Sequence, residues 1–142
     1  MFVSVVRRPF AFAKRLARDE QGTITVEAVL WIPLFFFILM LITDASMAFF
    51  SKGEAIRTVQ MGNWAFARNP DATVAGTQDW IEQQFAAYAP NAEAITTTDS
   101  EHGTVSTTLQ YPAGDVVPFN TLGVLGNWKI AVRARQHLEW EL

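Results

Sequence analysis

Gly22-Thr-Ile-Thr-Val-Glu27, followed at once by Ala28-Val-Leu-Trp-Ile-Pro-Leu-Phe-Phe-Phe-Ile-Leu-Met-Leu-Ile42, is the stretch that decides the fold. From Ala28 to Ile42 there is no charge, and the apolar character continues through Phe49-Phe50. A helix needs about 20 predominantly apolar residues to cross a bilayer, so residues 23–43 read as a transmembrane helix. Glu27 and Asp44 bracket it. A carboxylate in hydrocarbon is costly unless it finds a partner, which makes both acids functional candidates.

Charge is divided unevenly around this stretch. Residues 1–22 carry five basic and two acidic side chains, and residues 23–142 carry six basic and twelve acidic ones. The excess of Lys and Arg places the N-terminus in the cytoplasm and the remainder across the membrane. The acidic distal part has no basic stripe to neutralise phosphates, which argues against nucleic acid. There is no cysteine among the 142 residues, so disulfides, thiolate chemistry and Cys-ligated metals are excluded together.

Residues 1–22 are basic and partly apolar, with a glycine directly before the apolar core. A secretory signal has the opposite order, apolar region first and small residues after it. Two readings remain: a leader cleaved at the glycine, or an uncleaved signal anchor.

Downstream, residues 44–69 continue the helix without a proline until Asn69-Pro70, where the residue before proline leaves the α region. Phe49, Ile56, Val59 and Phe66 are read as one apolar face. Phe50, Met61 and Trp64 form a second ridge, with Glu54 and Arg57 spaced to pair on it. The two faces serve either the chain's own domain and another subunit, or the domain alone. Pro33 removes one backbone hydrogen bond inside the apolar helix and predicts a kink or local melting there.

Residues 70–142 form a small α+β domain. A short helix is predicted from Asp79 to Tyr88, with Asp79-x-x-Glu82 as a capping arrangement, Ile81, Phe85 and Tyr88 on one face and Pro90 closing it. Ala94 to Thr98 is a weak strand. Val105, Thr107, Leu109 and Tyr111 alternate with Thr104, Ser106, Thr108 and Gln110, and Trp128, Ile130, Val132 and Ala134 alternate with Lys129, Ala131, Arg133 and Arg135. This predicts a roughly three-stranded antiparallel sheet with one face on the long helix and the other wet. Between the last two strands, residues 112–126 are too apolar to stay solvated. They either cover the sheet or offer a contact to a partner, and covering is the expectation.

No catalytic arrangement emerges. His102 and His137 fall in a turn and at a strand end, and Asp99-Ser100-Glu101-His102 reads as a solvated turn, since neighbours in a loop do not present nucleophile, base and orienter to one another. No metal-ligand spacing or phosphate-cradling glycine loop is present. The chain is expected to be a building block with no cofactor, not an enzyme.

Asp19-Glu20-Gln21-Gly22, Thr25-Val-Glu27 entering the membrane helix, Pro33 and the acid at Asp44 resemble the TadE-like minor pseudopilins of tight-adherence (Tad/Flp) type IV pili. The strand-loop-strand ending is also similar. The resemblance implies a pilin-like fold and cleavage by a prepilin peptidase between Gly22 and Thr23. It implies an assembly role for Glu27, Pro33 and Asp44, with Glu27 as the fifth residue of the mature chain, able to neutralise the new amine of a neighbouring subunit. The implied partners are other minor pseudopilins, the major Flp pilin, the inner-membrane assembly platform and the lipid bilayer. The chain departs from the family in having Ala28 after the glutamate and Ala-Ser-Met after Asp44. The competing reading of Glu27 is a side chain that snorkels to the headgroups. The competing reading of the whole chain is an uncleaved single-pass anchor whose periplasmic domain binds a ligand or partner.

Overall fold

The computed structural model describes residues 20–123 and 128–139. Most of the expected leader lies outside them, as do Val124 and Leu125 of the long connection. The chain divides into two units, Met1–Leu39 and Met40–Leu142.

A single helix, α1 (Glu20–Arg68), supplies the backbone of the first unit from Glu20 onward and opens the second. It begins before Thr23, so the Gly22–Thr23 peptide is helical. It also runs through Pro33 without interruption, and the local melting expected there does not occur. A proline removes one intrahelical bond, and the remaining turns of a 49-residue helix hold the geometry. Within the first unit every apolar side chain from Val26 to Leu39 is exposed. The helix is long and apolar enough to cross a membrane.

In the second unit α1 packs through a face that the apolar pattern predicts in part: Val59 and Phe66 are buried and Ile56 packs against the core, as expected. Asp44, Ser51, Ala55, Val59, Asn63, Phe66 and Ala67 are buried, at steps of three and four residues with Ala48 filling the gap. Phe49, expected on this face, is 76 % exposed. The reason is geometric: at 3.6 residues per turn Phe49 and Phe66 are about 100° apart, so they cannot share one face. Phe50, Met61 and Trp64, the second ridge, are exposed, so this face is not the one the domain covers. Glu54 and Arg57 do not pair on it; among the described residues Arg68 of this helix pairs with Glu139, at 2.9 Å. Arg68 also lies over the Trp64 ring, at 4.3 Å.

The second helix, α2 (Val74–Phe85), starts five residues earlier than the Asp79 boundary. Its N-cap is Thr73, whose side chain accepts a hydrogen bond from the Gly76 N–H at 3.1 Å. Glu82 does not cap the helix; its Oε1 accepts from the Ala94 N–H at 2.8 Å and ties α2 to the first strand. Ile81 and Phe85 are buried, while Tyr88 lies past the helix end, half-exposed, with its ring 6.1 Å from Phe50.

Three strands follow: β1 (Glu93–Asp99), β2 (Thr104–Pro112) and β3 (Lys129–His137). They form one antiparallel sheet in the order β1-β2-β3, with Ile95 opposite Thr108 and Leu109 opposite Val132. The expected inward row of β2 is buried throughout. Its outward row is not wholly wet: Thr104 and Ser106 are buried too. A central strand is flanked on both edges, and the Arg133 Nε–H donates to Ser106 Oγ at 2.9 Å, laying a long side chain across it. Trp128 precedes β3 and is 62 % exposed, so it does not join the inward row.

The main core joins Ala55 and Val59 of α1, Ile81 and Phe85 of α2, and Leu109, Tyr111 and Val132 of the sheet. Val116 and Val117 belong to it, so that part of the long connection does cover the sheet. A smaller cluster, Phe66, Ala67, Val105 and Leu138, closes the other end.

Two glycines of α1 respond oppositely to substitution. A Cβ on Gly62 would meet Ile81 Cδ1 and Cγ1 at 2.6 Å, whereas one on Gly53 meets nothing within 4 Å. Gly53→Ala is expected to stabilise the protein by about 1 kcal/mol through helix propensity. Gly62→Val is expected to destabilise it by about 1–3 kcal/mol, because buried Ile81 must leave its place. Thermal melts of the two variants in detergent check both signs.

Candidate functional site

The residues singled out in the sequence do not converge on one place. Gly22 and Thr23 are in the first turns of α1. Glu27 is exposed and has no hydrogen-bond or ion-pair partner within the described chain. Pro33 is exposed on the same apolar run. Asp44 alone is built into the folded unit.

Asp44 is 1 % exposed. Its Oδ1 accepts from the Phe119 N–H at 2.9 Å, and its Oδ2 accepts from the Thr121 N–H at 2.8 Å and the Thr121 hydroxyl at 2.7 Å. The turn that presents these donors needs the left-handed conformation at Asn120 (φ 45°) and Gly123 (φ 63°), and is closed by the Gly123 N–H donating to Asn120 O at 2.8 Å. Burial pushes the Asp44 carboxyl up, but the bonds from Thr121 and Phe119 outweigh it and hold the pKa below the ordinary 3.8. A carboxyl with a lowered folded pKa contributes stability above its unfolded pKa and loses it as pH falls through the folded value. The clamp is therefore fully engaged at neutral pH and weakens as pH falls through the lowered folded pKa. Asp44→Ala is expected to speed amide exchange at Phe119 and Thr121 roughly ten- to a hundredfold at pH 7. Unchanged exchange there would remove the clamp from the account.

A second polar network ties α1 to all three strands. Asn63 Nδ2 donates to Ala134 O at 3.0 Å, and the Thr107 hydroxyl donates to Asn63 Oδ1. Thr107 has one hydroxyl proton, so Thr96, 2.8 Å away, donates to Thr107. Nearer Asp44, Ser51 Oγ lies 3.4 Å from the Tyr111 hydroxyl. Burial raises the Tyr111 pKa above 10, against the opposing Ser51 contact. These groups fix the register of sheet on helix, since a slip would strand buried polar atoms. Sequence reasoning placed Thr107 on the inward row of β2 but missed Ser51 and Asn63. The signal that could have found those two is the run of mostly small and polar residues at three- and four-residue steps from Asp44 to Asn63.

The Asp99–His102 segment is the turn expected between strands. Asp99 Oδ1 accepts from the Glu101 and His102 N–H groups at 3.1 and 3.3 Å, and His102 Nδ1 lies 2.9 Å from Asp99 Oδ2. Partial desolvation pushes the Asp99 carboxyl up, and the bonds from His102 and Glu101 more than offset it, so its pKa lies below 3.8. Both side chains are at least half-exposed. Among the described residues no group of three His, Asp or Glu side chains is placed to hold a metal ion.

The first unit is therefore a helix with an exposed apolar run, and within the second a clamped carboxylate and a buried polar network tie α1 to the sheet. No curated protein and no solved structure matches the chain. The family model of TadE-like proteins does match, over residues 22–62, so this part of α1, from Gly22 through Glu27, Pro33 and Asp44, is similar to the TadE-like family.

Proposed function

We propose that this protein is a minor pseudopilin that takes part in assembling a Tad/Flp-type adhesive pilus at the bacterial inner membrane. The TadE-like match associates it with the Tad pilus system. Residues 23–43 span the bilayer, the N-terminus is cytoplasmic, and residues 44–142 stand on the periplasmic side. A prepilin peptidase cuts between Gly22 and Thr23, and the mature helix is then drawn into a bundle with other minor pseudopilins or the major Flp pilin at the assembly platform. The role is structural; no step of chemistry is assigned to the chain itself.

One observation supports this reading most: the match begins at Gly22, on the helix whose apolar side chains from Val26 to Ile38 are all exposed. Lipid covers such a face before assembly and other helices cover it afterwards. Because lipid is as apolar as leucine, close packing and polar pairs must supply the specificity. Glu27, with no partner among the described residues, is the group available for such a pair.

Intact-mass measurement on protein purified from membranes tests the reading. The expected species lacks residues 1–22, and Gly22→Phe is expected to leave the full-length chain as at least nine-tenths of the protein. A full-length parent chain would favour the uncleaved anchor instead.

A further inference from the structure

We propose that the connection between β2 and β3 is a second membrane contact, in which Phe119, Leu122 and Trp128 seat in the headgroup–acyl boundary of a lipid bilayer. This rests on the reading that residues 23–43 lie in that bilayer.

The direction of the sheet comes first. β2 runs antiparallel to the second-unit part of α1: Val105 packs in the cluster of Phe66 and Ala67, Thr107 bonds Asn63, and Tyr111 meets Ser51. Its Pro112 end therefore lies toward the beginning of this helix segment, and so does the connection that leaves it. The Asp44 clamp places the loop more closely. Phe119 and Thr121 bond a residue only two positions past Ile42, the last residue of the apolar run. Trp128 is at the same end, since its carbonyl accepts from the Ala113 N–H at 2.7 Å.

The composition of the connection suits this position. Residues 116–128 hold no Asp, Glu, Lys or Arg, in a chain where charged residues make up 18 %. Val116 and Val117 turn into the core, but Phe119, Leu122 and Trp128 are all more than half exposed. A turn held by Asp44 presents Phe119 and Leu122 on a fixed backbone, so their exposure is built in. Large apolar side chains around a charge-free loop, level with the end of a membrane helix, match the chemistry of the interfacial zone, where aromatic rings are enriched. The opposite end of the sheet differs: the β1–β2 turn is Ser100-Glu-His-Gly103, polar and exposed.

The absence of cysteine allows a clean test on the full chain. Single cysteines at Leu122, Leu34 and Glu101 would carry a spin label, with one protein per nanodisc of phosphatidylethanolamine and phosphatidylglycerol. Relaxation by oxygen, which partitions into lipid, is compared with relaxation by a water-soluble nickel chelate. The label at 122 is expected to show an oxygen-to-nickel accessibility ratio at least tenfold above that at 101 and on the side of that at 34. A ratio at 122 equal to that at 101, with 34 reading as lipid, would overturn the contact while leaving the membrane helix intact. Shielding of 122 from both reagents would also overturn it, in favour of a protein partner on this loop. An aqueous signal at 34 would remove the bilayer reading itself, and the loop contact with it.

Discussion

A Glu27→Gln chain is expected to be processed like the parent yet to enter pili roughly a hundredfold less, because removing one member of a buried charge pair leaves the other uncompensated. Cleavage at Gly22 makes a new ammonium group at Thr23. In a bundle of helices that group sits in surroundings of low dielectric, where an opposite charge at hydrogen-bond range is worth far more than in water. The carboxylate of Glu27 has no partner among the described residues and is exposed, so its acceptor capacity is open to a neighbour. Gln keeps the shape and loses the charge. Glu27→Asp, which keeps the charge on a shorter arm, is expected to recover part of the incorporation. The measurement is the amount of the chain in sheared pili relative to membranes, with intact mass confirming cleavage in each variant. Incorporation of Glu27→Gln at the parent level would end the charge-pair account and favour a side chain that merely reaches the headgroups.

Phe85→Ala is expected to cost about 3–5 kcal/mol, the usual penalty for emptying a buried aromatic site. Phe85 is completely buried where α2 meets the sheet, its ring 4.9 Å from Tyr111 and 5.5 Å from Tyr88. Domains of this size are stable by only about 5–15 kcal/mol, so the loss removes a large share of the total. In a unit of about 100 residues each kcal/mol moves the melting temperature by about 4–8 °C, which predicts a fall of at least 12 °C. Phe49→Ala is the matched control. It removes the same ring from an exposed position on α1, and the expected change is within about 0.5 kcal/mol. Near-UV circular dichroism melts in detergent distinguish them. Equal effects of the two substitutions would mean that α1 buries the face read from its apolar residues and not the face described above.

Both predictions depend on how α1 divides its surface, and there the sequence was a partial guide. Its apolar run, its end at Asn69-Pro70 and the alternation in β2 were legible, because hydrophobic periodicity and proline act locally. The stretch that matches TadE-like proteins was legible for the same reason, being continuous in sequence. The cap of α2 was misplaced because Thr73 and Gly76 look like loop residues until the chain folds onto them.

By itself, then, the sequence determined a long membrane-type helix, a short helix and a three-stranded antiparallel sheet in that order, with Glu27 and Asp44 at either end of the uncharged run. Only the tertiary structure decided which side of α1 the sheet covers. It chose the stripe of small and polar residues that also carries Val59 and Phe66 over the ridge of Phe50, Met61 and Trp64. Small side chains let sheet and helix approach closely, and Ser51, Asn63 and Asp44 bond to groups 60, 71 and 77 residues away at the farthest. Such bonds reward burial of polar atoms only once distant partners are in place, so no local pattern announces them. The same long-range clamp turned Asp44 from an acid at a membrane edge into the residue that positions the loop of Phe119 and Leu122.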